Sequence, residues 1–115
     1  MSAFAQSEKF TGTYEEKSKQ PSGEILEVVL ELKPDGTFFC TFYQDQLDYK
    51  DDDKGKGKWH INNGEIWFKA DQEKDIDKEY SMNFDGTKAK LDGNKLIFYE
   101  SKMIWPPRVP LTKIK

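Results

Sequence analysis

One histidine, His60, and one cysteine, Cys40, are the chain's whole stock of imidazole and thiol. Nucleophilic catalysis needs a nucleophile within reach of a base and of oxyanion donors, and these two residues stand in alternating apolar stretches where side chains pack. Cys40 shares its phase with Phe38 and Phe42, in apolar surroundings that raise a thiol pKa and quench the nucleophile. His60 falls out of phase with Trp59 and Ile61 and is expected to face solvent. One Cys and one His also leave no soft ligand set for structural zinc. The expectation is therefore no enzyme, no metal and no cofactor.

The carboxylates are more numerous. Asp71, Glu73, Asp75, Asp77 and Glu79 recur at every second residue. In a strand that spacing points five acids to one side, and in a loop it gathers oxygens around calcium. The calcium-loop template fails, because Ile76 stands where its Gly belongs and Met82 where its bidentate Glu belongs. A solvated acidic face interleaved with Lys74 and Lys78 is the expectation. Asp48-Tyr49-Lys50-Asp51-Asp52-Asp53-Lys54 reads in the same way, as an acidic hairpin loop without chemistry of its own.

Charged residues make up 34% of the 115 positions and apolar ones 36%, which implies a thin core under a heavily charged surface. Aromatics at 14% exceed what a disordered chain carries, and the length suits one domain. A net charge of -3 offers no long-range attraction to phosphate backbones, so nucleic acid is not expected as a partner. No apolar run approaches the ~20 residues of a membrane helix.

The elements that must position these residues are strands. Pro34-Asp35-Gly36, Asn62-Asn63-Gly64, Asp85-Gly86 and Asp92-Gly93-Asn94 supply residues that tolerate positive φ in tight hairpins. Between them apolar residues alternate: Leu26, Val28, Leu30, Leu32; Phe38, Cys40, Phe42; Trp59, Ile61; Ile66, Phe68, Ala70; Tyr80, Met82, Phe84; Ala89, Leu91; Leu96, Phe98. With Phe10 to Lys17 as the first strand, the pattern predicts an all-β fold, an antiparallel up-and-down meander of about eight strands forming a small barrel or half barrel. Residues 19–23, 45–58 and 71–78 are expected loops. Trp105-Pro106-Pro107-Arg108-Val109-Pro110 cannot form a central strand, so residues 103–115 are expected to run as a proline-rich strap after a β domain over 10–102.

Ala3-Phe4-Ala5 before Gln6 looks like the end of a secretory cleavage site. Residues 1–9 are accordingly expected to be a signal-peptide remnant or a disordered N-terminus. A secreted or periplasmic location is expected, with a cytoplasmic one as the alternative.

Phe10-Thr11-Gly12-Thr13-Tyr14 resembles the Phe-x-Gly-Thr-Trp opening of the lipocalin and fatty-acid-binding superfamily, with Tyr14 in place of Trp. Asp35-Gly36-Thr37-Phe38 followed by Gly57-Lys58-Trp59 is similar to a strand pair of lipocalin-like bacterial envelope proteins. The resemblance implies a calycin-type barrel with Tyr14 closing one end and Arg108, the chain's only arginine, packed over it. The sequence departs from the family in having no helical lid after the first strand and no Cys-x-x-Cys, and the late Arg-x-Tyr anchor of fatty-acid binders is also absent, which argues against a carboxylate-headed lipid.

The function that the resemblance implies is binding of an apolar or amphipathic small molecule in the interior. Val28, Leu30, Phe38, Phe42, Trp59, Phe68, Met82, Phe84 and Phe98 are the candidate lining. The alternative is an interaction or inhibitor module with a filled core, acting on a protein partner through its outer aromatics. Phe39, Tyr43, Trp67, Ile97 and Tyr99 fall on the strand face opposite the core set, so something must cover them, either the strap from Met103 to Leu111 or a partner. A monomer or weak dimer is expected, with unpaired edges near Lys17 or Lys102.

Overall fold

In the computed structural model, residues 8–103 and 110–115 are described. Eight antiparallel strands follow one another in chain order and close into a barrel: β1 (Gly12–Lys19), β2 (Ile25–Leu32), β3 (Thr37–Asp45), β4 (Lys50–Asn62), β5 (Glu65–Lys69), β6 (Lys88–Asp92), β7 (Lys95–Glu100) and β8 (Leu111–Lys113). The all-β meander expected from the alternation is the fold.

The register explains why the alternation was informative. Leu30 faces Cys40, Val28 faces Phe42 and Leu32 faces Phe38 across the β2–β3 ladder, so apolar residues share the inner surface. On β4, Trp59 faces Phe68 and Ile61 faces Ile66. Since successive side chains alternate between faces, one register places each of these sets inside. The Asp35 carboxylate accepts from the Thr37 N–H and hydroxyl, fixing the β2–β3 turn, and these bonds hold its pKa below the usual value.

Three local expectations change. Most of residues 45–58 is not loop but the first half of β4, whose 13 residues make it the longest strand. Its inward positions are Asp51, Asp53, Gly55 and Gly57, so the inner face carries no apolar side chain to betray it. Both glycines are required by close approaches. A Cβ on Gly55 would lie 2.8 Å from the Phe84 ring, and one on Gly57 would lie 2.2 Å from the Lys69 carbonyl oxygen.

Tyr80 to Phe84, read as a strand, is extended but unpaired save for the Met82 N–H donating to the Lys54 carbonyl at 3.0 Å. The alternation itself was informative, because Met82 and Phe84 are buried and Ser81 is exposed. One bond makes no ladder; the segment is instead held to β4 by Ser81 Oγ donating to Asp53 at 2.7 Å and by the Lys54–Glu79 ion pair at 3.2 Å. The eighth strand comes from the expected strap, where Leu111 to Lys113 bridges β7 and β1. Leucine, threonine and lysine after Pro110 carry the N–H groups that the prolines lack. The 71–78 segment is a loop of turns, as expected.

The two halves of the barrel differ in length. Strands β1, β2 and β3 have 8, 8 and 9 residues, whereas β5, β6, β7 and β8 have 5, 5, 6 and 3. The far ends of β1 to β4 therefore project past the shorter strands as a four-stranded flap. β5 covers β4 from Lys58 to Asn62, and β8 covers β1 at Tyr14 and Glu15, so among the described residues both outer strands of the flap have stretches that no strand covers.

Candidate functional site

All nine residues expected to line the interior do point inward, and none is more than 5% exposed. A pocket of ~300 Å³ would lend accessible area to its walls, and these walls have almost none. Phenylalanine rings occupy the centre: Phe84 lies 4.9 Å from Phe38, 5.4 Å from Phe68 and 6.4 Å from Phe98 between centroids, and Phe38 meets Phe68 edge to face at 5.1 Å. These are the separations at which aromatic pairs attract. Cys40 is fully buried and burial pushes its thiol pKa far up, which keeps it protonated.

Tyr14 does sit at one end of the barrel, fully buried, with its hydroxyl donating to the Phe10 carbonyl at 2.6 Å. Burial raises its pKa to about 12. Lys113 Nζ lies 5.9 Å from the ring centroid and also donates to the Lys9 carbonyl at 3.1 Å, tying the first turn to the last strand. Arg108, expected at this place, lies outside the described residues, as does most of the strap expected to cover the outer wall.

The outer aromatics form two clusters rather than one patch. Phe39 packs edge to face with Tyr80 at 6.0 Å, and Lys56 stands 4.5 Å over the Tyr80 ring. Trp67 meets His60 at 6.0 Å and carries Lys88 Nζ 4.2 Å over its ring, while the Tyr99 hydroxyl donates to Glu65, which raises the Tyr99 pKa to about 12. On β4 the two clusters are marked by Lys56, opposite Phe39, and His60, opposite Trp67. Four residues of strand separate them, about 13 Å. Tyr43 lies along β3 from Phe39, half-buried opposite Asp52. His60 is exposed, as its phase implied. Beside the Trp67 cluster runs a shallow groove of about 290 Å³ lined by His60, Trp67, Thr87, Lys88 and Glu100.

Sequence reasoning missed a cleft of about 410 Å³ at the end of the β4–β5 ladder away from its turn, lined by Lys58, Lys69, Asp71, Lys74, Asp75 and Asp85. Its carboxylates serve the backbone. Asp71 accepts from the amides of Glu73 and Lys74, which lowers its pKa, Asp75 accepts from Asp71 N–H and Asp85 accepts from Ala70 N–H. Register was the missing signal: it sets Lys58 directly opposite Lys69.

No family model matches the chain, and no curated protein matches it by sequence. The barrel itself has a counterpart among solved structures. It shares its fold with a candidate lipoprotein of Shewanella oneidensis. The two superpose with a TM-score of 0.58 over 95% of this chain and 94% of the other, at 18% identity. At that identity the likeness concerns the arrangement of strands, not an activity.

Proposed function

We propose that this protein is a non-enzymatic interaction module whose barrel interior serves stability and whose outer wall serves binding. The observation that carries the reading is the near-zero exposure of the nine interior residues. A carrier of apolar molecules keeps a pocket of ~300–1,000 Å³, and here phenylalanine rings fill that space. The outer wall supplies what a docking surface uses, large rings beside cations: Trp67 with Lys88, and Tyr80 with Lys56 and Phe39. Secretion or a periplasmic location is part of this reading, supported by Ala3-Phe4-Ala5 and by the description of the Shewanella oneidensis protein as a candidate lipoprotein.

Native mass spectrometry of the protein purified from its own host tests the proposal. The expected result is the bare chain mass, unchanged by a titration with an apolar dye. A stoichiometric apolar adduct, released on unfolding, would instead make the barrel a small-molecule carrier, with the nine residues as its lining.

A further inference from the structure

The far end of the β3–β4 hairpin has three properties at once. The first is charge. Residues 45–54 hold Asp45, Asp48, Asp51, Asp52 and Asp53 against Lys50 and Lys54, a net -3 that equals the net charge of the whole chain. Residues 71–79, with five acids against Lys74 and Lys78, carry the same net -3, so the tip is one of two strongly acidic segments. Asp51 and Asp53 are close enough to share a hydrogen bond, which raises the Asp51 pKa.

The second is exposed apolar surface. Leu47 is 63% exposed and Tyr49 is 56% exposed, two of the most exposed large apolar residues described. They cap the tip.

The third is an open sheet edge. Met82 N–H donates to the Lys54 carbonyl from the side of β4 opposite β3. Backbone groups alternate along a strand, so Asp52 and Lys50 also turn their N–H and C=O away from β3. β5 stops at Lys58 and the extended segment ends its contact at Asp53 and Lys54, so among the described residues nothing pairs with Lys50 or Asp52 on that side. The other uncovered edge, on β1, carries Lys17 and Lys19, the lysines that discourage strand addition. The β4 edge carries one lysine, Lys50, set among Asp48, Asp51, Asp52 and Asp53.

We infer that the β4 edge at Lys50–Asp52 receives an extended, lysine- or arginine-bearing segment of a partner protein as an added strand, with Leu47 and Tyr49 meeting its apolar side chains. Backbone bonds supply the affinity in this mode, and charge and alternate side chains supply the choice of partner. The acidic tip favours a basic strand and opposes a second copy, whose own tip repels it. The inference rests on the outward-acting reading above. It adds an edge contact to the aromatic clusters of the outer wall.

A labelled octapeptide alternating lysine and valine is the probe, titrated into the full chain by fluorescence anisotropy. Binding is expected to weaken by about tenfold or more between low salt and 0.5 M salt, as for a contact steered by charge. The counterpart alternating glutamate and valine is expected not to bind. Asp52→Pro removes one outward N–H at an edge, where proline is tolerated, and is expected to lower affinity at least tenfold, while Asp52→Asn lowers it a few-fold. If Asp52→Pro does not fold, amide exchange in the wild-type complex decides, with protection expected at Lys50 and Asp52. Equal binding of the two peptides, an Asp52→Pro variant that binds like wild type, or unchanged exchange at those amides overturns the inference. A wild-type dimer that Asp52→Pro converts to monomer overturns it as well, since the occupant is then a second copy. An apolar adduct in native mass spectrometry defeats the outward-acting reading separately, whatever the peptide does.

Discussion

Phe84→Ala is the sharpest test of the packed interior. The ring is fully buried and contacts three other phenylalanines at 4.9, 5.4 and 6.4 Å. Truncating a buried Phe to Ala costs about 3–5 kcal/mol, the lost transfer energy plus that of the cavity left behind. The upper part of that range is expected here, because the ring sits among three other phenylalanines and against Gly55 of β4. At this chain length each kcal/mol moves Tm by about 3–6 °C, so a fall on the order of 10–25 °C is anticipated by calorimetry. The new cavity is apolar and should bind benzene, which by mass action raises the variant's Tm while leaving wild type unchanged. A loss below about 1.5 kcal/mol, or wild type stabilised by benzene as much as the variant, would refute the packed interior.

Further outcomes follow from other contacts. Gly55→Ala places a methyl 2.8 Å from the Phe84 ring and 3.1 Å from Met82, and chemical denaturation should show a loss of about 1–3 kcal/mol. Tyr14 holds its proton to about pH 12 when folded but to 10.0 when unfolded, so the folded state binds more protons in that window and its stability falls as pH rises through it. Tyr14→Phe should flatten that alkaline fall in urea melts, by about 2–3 kcal/mol across the window. At neutral pH Tyr14→Phe should cost about 1–2 kcal/mol for the lost bond to the Phe10 carbonyl. Asp51 is shifted the same way, upward from 3.8, so its ionisation in the folded state opposes stability as pH rises above that value. Asp51→Asn should raise Tm by about 2–3 °C at pH 7, an effect of ~0.5 kcal/mol for an exposed pair, and by nothing at pH 3.

The sequence revealed the fold where side chains alternate in polarity and hid it where they do not. Leu26 to Leu32 and Phe38 to Phe42 state their register openly, because each inward position is apolar. Lys50 to Lys58 states nothing, since its inward positions are two aspartates and two glycines, and the reasons for the glycines lie elsewhere in the chain, in the Phe84 ring for Gly55 and the Lys69 carbonyl for Gly57. Met82 and Phe84 turn inward as their phase implies, but Tyr80, expected with them, packs outside on Phe39 and Lys56, and the segment forms no strand because pairing depends on backbone partners that polarity does not encode. All nine interior residues could be chosen from phase alone. Whether they enclose space or fill it depends on ring-to-ring distances, which no spacing along the chain contains. The two outer clusters were likewise visible as residues but not as separate sites, because Tyr80 and Lys88 reach them from elsewhere in the chain.

Barrel closure rests on the shortest element. β8 meets β1 at Tyr14 and Glu15 and meets β7 at Lys95 and Leu96, while every other contact of the meander joins neighbours in the chain. Closing this seam gathers the largest loop in the molecule, so its entropic cost is the highest and it forms after the hairpins have assembled. In the native state the same seam opens first. The amides of Thr13 and Ile114, which bridge it, should exchange with solvent hydrogen well before those of Val28 and Cys40, as expected if the barrel opens at this seam into a curved sheet.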